Sequence, residues 1–132
     1  MLNVYVRERD SLVIGRPKGT FDGKLALKLV ELIEIKEVEI ETGFNRFCDL
    51  TGIVRIHLGL GAVEAIAARR SVFNPNRIRV KSAFLASNPL TFAIVGLYDA
   101  LLKSPRIRVR AFDTVENAAH WLGVAPRRLT LP

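Results

Sequence analysis

The chain has 132 residues, 49% of them apolar, and a formal net charge of +7. This length is typical of one domain of ~100–150 residues, and the apolar content suffices for a core, which excludes a disordered chain. No stretch reaches the ~20 apolar residues of a membrane-spanning helix, and the N-terminus lacks an apolar signal segment. One cysteine and two histidines are too few for an internal disulfide or a closed metal site, so the composition predicts a cytoplasmic protein without a metal or cofactor.

The positive charge is concentrated in the second half of the chain. Residues 1–66 hold nine Lys/Arg and ten Asp/Glu, whereas residues 67–132 hold eleven Lys/Arg and three Asp/Glu. A basic half attracts anionic partners such as acidic protein surfaces, phosphates or nucleic acid, although a solvated basic face is the simpler interpretation.

The first elements predict a β-hairpin followed by a helix. Residues 3–7 and 11–17 are rich in β-branched residues and flank a polar turn. Thr20 or Asp22 then caps a helix with apolar residues on one side.

Residues 34–43 are ambiguous between a fraying helix and an exposed strand, because Glu37, Glu39 and Glu41 alternate with apolar residues. We expect these three carboxylates to form a solvated face.

The rest of the chain alternates between strands and helices. Residues 44–50 predict a central strand, and helix start signals occur at Asn88-Pro89 and at Asp113-Thr114-Val115-Glu116, with Glu116 at the third helical position. The first of these helices runs through Lys103. Connections of this length predict an α/β fold, in which an N-terminal hairpin feeds a mainly parallel sheet of about 4–6 strands with flanking helices. We expect one domain over residues 1–125 and a loosely ordered C-terminal tail over residues 126–132.

Two basic strands form the first candidate site. Cations alternate with apolar residues along both, so those of each strand share one face. If the strands are neighbours, six cations stand together on a sheet face without helices and form a candidate anion or partner face: Arg77, Arg79, Lys81, Arg106, Arg108 and Arg110. No aromatic residues are interleaved with them, which disfavours nucleic acid.

The helix after Pro89 is the second candidate site. It is apolar almost all round, which is typical of a helix buried between layers or against a partner. Its candidate oligomer or ligand residues are Phe92, Val95, Tyr98 and Leu102.

No catalytic residues are predicted. The third glycine of a dinucleotide loop that begins at Gly59 would fall at Glu64, and no partner completes a triad with His57, His120 or Cys48. The sequence therefore predicts that the protein is not an enzyme.

The order of elements resembles the SpoIIAA-like branch of the STAS superfamily, whose members are relatives of bacterial anti-sigma factor antagonists. The resemblance covers residues 2–124 and rests on a strand that ends in Asp49-Leu50-Thr51-Gly52, on the Asn88-Pro89 helix, and on the motif Phe112-Asp-x-x-Glu-x-Ala-x-x-Trp-Leu-Gly. It implies a sheet flanked by helices and regulatory binding through surfaces, without catalysis.

The same resemblance implies a place for a phosphorylation switch. The family carries a phosphorylatable serine in an Asp-Ser-Ser-Gly-Leu turn, but the corresponding residues 56–61 contain no hydroxyl group. Thr51, at the strand exit, is the nearest hydroxyl and a displaced analogue. The resemblance also leaves open an association with hydrophobic ligands or membranes.

The leading hypothesis is a non-catalytic regulatory or protein-interaction domain that forms a homo-oligomer, with a dimer favoured, and that also binds a regulatory protein. One alternative is a binder of a hydrophobic or lipid-like ligand, which an apolar cavity of ~300–1,000 Å³ would favour. The other is a binder of anions or nucleic acid through the basic sheet face.

Overall fold

The computed structural model describes residues 2–73, 75 and 77–130. The strands are β1 (Leu2–Arg7), β2 (Leu12–Pro17), β3 (Gly19–Asp22), β4 (Asn45–Asp49), β5 (Ile53–His57), β6 (Val80–Leu85) and β7 (Ile107–Phe112). The helices are α1 (Gly23–Glu39), α2 (Leu60–Val72), α3 (Pro89–Leu101), α4 (Val115–Leu122) and the single turn α5 (Arg127–Thr130).

Five strands form the central sheet in the order β1-β2-β4-β6-β7. The β1–β2 hairpin is antiparallel, and β2, β4, β6 and β7 pair in parallel. The predicted α/β fold, with an N-terminal hairpin and a mainly parallel sheet, is confirmed. Because successive parallel strands lie side by side and crossovers are right-handed, α1, α2 and α3 all fall on the same side of the sheet. Helix α4 follows the last strand and packs on the other side.

The start signals read from the sequence operate as expected at α1 and α3. The carboxylate of Asp22 accepts a hydrogen bond from the backbone N–H of Leu25 at 2.8 Å, and the amide oxygen of Asn88 accepts one from Thr91 at 2.9 Å. Helix α3 ends at Leu101, two residues before the predicted end.

At α4 the start lies one residue later than predicted. Thr114 is the N-cap and accepts from the backbone N–H of Asn117 at 3.1 Å. Glu116 therefore occupies the second helical position, and Asn117 occupies the third.

The segment left open between helix and strand is helical through Glu39. The prediction of a solvated acidic face is wrong for Glu37, which is only 3% exposed, because three arginines surround its carboxylate. Glu39 and Glu41 are exposed.

Residues 53–57 follow the central strand β4 as a separate strand. They form β5, which pairs in parallel with β3 in a separate two-stranded sheet. The strand β3 itself was missed, because its residues were assigned to the start of the following helix.

Residues 127–130 of the expected tail form the helical turn α5, while residues 131 and 132 lie outside the described residues. Leu129 of α5 is 0% exposed in the core. The Arg16 guanidinium donates to the carbonyl oxygen of Leu129, and Arg128 Nε lies 3.3 Å from Asp10 Oδ2. These contacts fasten the tail to the hairpin.

The sheet has two differently packed faces. The back face contacts α4 and α5 through a cluster made of Leu12, Ile14, Phe47, Ala83, Leu85, Phe112, Ala118, Ala119, Leu122 and Leu129. The front face contacts the layer α1–α3 through a cluster made of Cys48, Leu50, Val80, Val95, Ile107 and Val109.

Candidate functional site

A buried ionic cluster lies between the front face and the layer α1–α3. Its centre is the carboxylate of Glu37 on α1. Arg46 Nη2 from β4 donates to Glu37 Oε2 at 2.8 Å, and Arg70 Nη1 from α2 donates to Oε1 at 2.7 Å. Arg106, just before β7, donates to Oε2 from 3.3 Å. One carboxylate thus joins a strand, a helix and a loop.

The cluster continues through Glu34, one helical turn earlier on α1. Arg69 Nη2 lies 2.6 Å from Glu34 Oε1, and Arg70 Nη1 lies 3.3 Å from Oε2. Four arginines therefore face two glutamates, so the cluster has a positive excess. Within the described residues, the buried Nε atoms of Arg46 and Arg106 have no hydrogen-bond acceptor.

Burial and charge act in opposite directions on the groups of the cluster. Burial tends to raise the pKa of Glu37, but hydrogen bonds and charges from Arg70 and Arg46 outweigh it and hold that pKa below its ordinary value. Burial raises the pKa of the Tyr98 phenol, although the neighbouring Arg70 and Arg46 oppose the shift. Glu37 is therefore an ionised partner of the cluster at neutral pH.

An apolar cavity of about 120 Å³ adjoins this cluster. Its walls come from the three helices and the front face, with Ala26, Val63 and Val95 among them. Arg46, Arg70, Ser82 and Tyr98 supply its polar lining. The cavity is smaller than ligand pockets of ~300–1,000 Å³.

The two basic strands are neighbours, as the candidate anion face requires. Lys81 pairs with Arg108 in the register of β6 and β7. The expected absence of a covering helix is wrong, because Trp121 of α4 lies over this part of the back face. Lys81 Nζ donates to the Trp121 carbonyl oxygen at 2.8 Å, and the Arg108 guanidinium lies 5.8 Å from the Trp121 ring centroid. The Arg110 guanidinium lies 5.4 Å from the Phe112 ring centroid.

The other three cations lie before the strands. Arg106 is 6% exposed and belongs to the ionic cluster. Arg77 and Arg79 precede β6, are exposed, and line a second pocket together with Arg106. The six residues thus divide between the back face and the amino-terminal ends of β6 and β7.

Two of the candidate residues on helix α3, Val95 and Tyr98, point into the core. Val95 is 5% exposed, and the Tyr98 ring packs edge-on against Phe84 with centroids 6.3 Å apart. Phe92 and Leu102 are half-buried. The outward side of α3 is formed by other residues, which are Leu90, Ala93, Gly96, Asp99 and Ala100.

No family model and no curated protein matches the sequence. By structure, the chain is similar to an uncharacterised protein of the DUF3478 family from Shewanella loihica PV-4, which has a SpoIIAA-like fold. The match covers 92% of each chain at 13% identity, with a TM-score of 0.59. This chain has a SpoIIAA-like fold. The resemblance seen in the sequence is confirmed at the level of the fold.

In this SpoIIAA-like fold, Thr51 lies at the carboxyl end of β4. Its hydroxyl donates to Asp49 Oδ1 at 2.6 Å, and its backbone N–H donates to the same oxygen at 2.9 Å. Thr51 is exposed. Its role as a displaced phosphorylation analogue stays a prediction.

The remaining reactive side chains, Cys48, His57 and His120, are not members of the ionic cluster. Burial raises the pKa of the Cys48 thiol, which makes the thiolate nucleophile scarce. His57 and His120 are exposed on β5 and α4, respectively. Across the part of the chain that the structure describes, no helix is long and apolar enough to cross a bilayer.

The ionic cluster was missed from the sequence, although one signal pointed to it. Ala26, Val30 and Ile33 lie on the inner side of α1, and the same helical spacing reaches Glu37, four residues after Ile33. A carboxylate on an apolar stripe indicates a buried partner of opposite charge. The sequence did not indicate which arginines would meet it.

Proposed function

We propose that this chain is a non-catalytic interaction domain of the regulatory type, which docks through the outer surface of the layer α1–α3. The distribution of exposed apolar side chains supports this proposal. Six of the seven large ones in the described residues belong to this layer, and the seventh, Val54, belongs to β5. The six are Leu27, Ile35, Val38, Leu60, Val72 and Leu90. Exposed apolar side chains gathered on one side of a molecule are typical of interaction surfaces.

We further propose that the self-docking element is the outward side of α3. Leu90 is 57% exposed there, and Ala93, Gly96 and Ala100 follow it at helical spacing. Small side chains allow a second helix to approach closely, because the distance between packed helices depends on the side chains at the contact. The resulting oligomer would be a symmetric dimer, since a two-fold interface uses the same surface on both copies.

Light scattering coupled to size-exclusion chromatography tests this proposal at tens of micromolar protein. We expect a dimer for the unmodified chain and a monomer for Ala93→Glu, which places a charge at the centre of the contact. Asn117→Glu adds the same charge on the exposed side of α4 and should stay dimeric. A monomeric unmodified chain, or a dimeric Ala93→Glu variant, would contradict the proposed interface.

The interior supports binding of a hydrophobic ligand less well. The apolar cavity of about 120 Å³ is well below the usual ligand-pocket volume of ~300–1,000 Å³. Val95 and Tyr98 line this cavity, so they contribute to the core of the fold. The geometry therefore favours an interaction surface over an enclosed ligand site.

We also propose a reducing, cytoplasmic location. Cys48 is a free and buried thiol, and burial of an unpaired cysteine in a core strand is typical of proteins that do not depend on disulfides.

A further inference from the structure

A pocket lined by three arginines, two serines and a proline lies at the amino-terminal ends of β6 and β7. It has a volume of about 270 Å³ and is lined by Ser71, Arg77, Arg79, Ser104, Pro105 and Arg106. Because β4, β6 and β7 are parallel, the pocket and the Thr51 turn are at opposite ends of the sheet. The pocket is also separate from the outward side of α3.

Hydrogen bonds hold one wall of the pocket in place. Ser71 Oγ, in the last turn of α2, donates to the Ala67 carbonyl oxygen at 2.6 Å and accepts from the backbone N–H of Lys103 at 2.8 Å. The loop after α3, which carries Ser104 and Pro105, is thereby tied to α2.

Arg106 is a fixed cation in this wall. Its Nη1 lies 3.3 Å from Glu37 Oε2, and its Nη2 donates to the Phe73 carbonyl oxygen at 2.7 Å. The side chain is buried, and its Nε has no acceptor within the described residues. Two of its three nitrogen atoms are thus held by protein acceptors, which fixes the guanidinium group in this wall. A pre-positioned guanidinium binds an anion with little further loss of side-chain entropy.

The local charge favours an anion with more than one negative charge. Arg77 and Arg79 add two exposed guanidinium groups to Arg106. The carboxylate bound to Arg106 is that of Glu37, which also binds Arg46 and Arg70. Its single negative charge therefore does not balance all three arginines. Arg77 also has a positive φ of 54°, a backbone conformation that is uncommon outside glycine and often occurs at ligand-binding segments.

We propose that this pocket binds a phosphoryl dianion, either as inorganic phosphate or as the phosphate of a small monoester. Arg106 supplies the fixed charge, the exposed Arg79 contacts the anion, Arg77 adds positive charge beside it, and the Ser104 hydroxyl donates a further hydrogen bond. Guanidinium groups match phosphate oxygens geometrically and form charge-assisted hydrogen bonds with them. This assignment is independent of the docking surface on α3.

Titration of the isotope-labelled chain with inorganic phosphate and with glycerol phosphate, at constant ionic strength, tests the site. We expect saturable amide shifts at Ser71, Arg79 and Ser104 in nuclear magnetic resonance spectra. Arg79→Gln should weaken binding by about tenfold or more, as expected for loss of a hydrogen bond to a charged group. Arg55→Gln removes the same charge from an exposed position on β5 and should weaken binding by less than about twofold, because distant charges are screened.

The comparison of the two ligands identifies the source of the phosphoryl group. Tighter binding of glycerol phosphate assigns the site to a monoester, and equal binding assigns it to free phosphate. The proposal is wrong if neither anion produces saturable shifts at the pocket, if the two variants weaken binding equally, or if the shifts centre on Trp121. Thermal unfolding of both variants confirms that the fold is intact, since both arginines are exposed.

Discussion

The two faces of the central sheet differ in packing density and in the charge that they bury. On the back face, Phe47, Ala83 and Ala118 are 0–1% exposed, and the nearby cations Lys81 and Arg108 remain at the rim against an aromatic ring. On the front face, Gly15 of β2, Arg46 of β4 and Ser82 of β6 line a cavity. One set of strands thus supports a dense apolar interface on one side and a looser, charged interface on the other.

The difference follows from what each face must bury. The back face accommodates α4 and α5, whose small residues Ala118 and Ala119 lie close to the strands. The front face accommodates three long helices, and the ionic cluster occupies part of the space that apolar side chains would otherwise fill. Buried charges of this kind are tolerated only while every partner is present.

The largest effect should come from the centre of the ionic cluster. Replacing Glu37 with Gln removes the carboxylate shared by Arg46, Arg70 and Arg106 and leaves buried cations without their partner. We expect the free energy of unfolding to fall by ~3–5 kcal/mol. Urea denaturation of the unmodified chain and the variant at neutral pH measures this change in the free energy of unfolding.

Glu39→Gln is the matched control, because Glu39 lies on the same helix, is exposed, and pairs only with Lys36, at 3.2 Å, among the described ion pairs. Its loss should change the free energy of unfolding by less than ~1 kcal/mol. Equal destabilisation by the two variants would show that the front face does not depend on the cluster.

A smaller effect should distinguish the packing of the two faces directly. Ala118→Val on α4 adds two methyl groups where the packing is dense, and Ala26→Val on α1 adds them beside the cavity. Both changes carry the same intrinsic helix-propensity term, so the difference between them reports packing. We expect Ala118→Val to be the less stable variant by ~1–3 kcal/mol, as measured by thermal or urea unfolding. The reverse order would contradict the denser back face.

Protonation of Glu37 should have the smallest effect on the free energy of unfolding at neutral pH. In acid, its effect should be distinct. Its pKa is lowered from the ordinary value of 4.5 in the folded chain, so the unfolded chain binds the proton more readily. The stabilisation is fully present above pH 4.5 and is lost as the pH falls through the folded pKa. Unfolding free energies from pH 7 to pH 3 should therefore decline more steeply for the unmodified chain than for Glu37→Gln. Parallel declines would exclude Glu37 as the group responsible.

The sequence by itself determined the elements whose signals are local. A side-chain cap at Asp22 or Asn88 satisfies backbone N–H groups two or three residues away, so the helix starts were readable without the fold. The alternation of strands and helices likewise determined the α/β class, because parallel strands require long crossovers.

Only the tertiary structure decided what depends on contacts between distant residues. Glu37 and Arg106 are 69 positions apart, and no local pattern states that a loop before β7 meets the end of α1. The same reason explains the position of Leu129, which packs in a core cluster with Leu12 and Ile14 and whose carbonyl oxygen accepts from Arg16, 113 positions earlier in the chain. The sequence left open whether the cationic strands β6 and β7 are neighbours, and whether a helix covered them depended on the direction taken by the chain after Phe112.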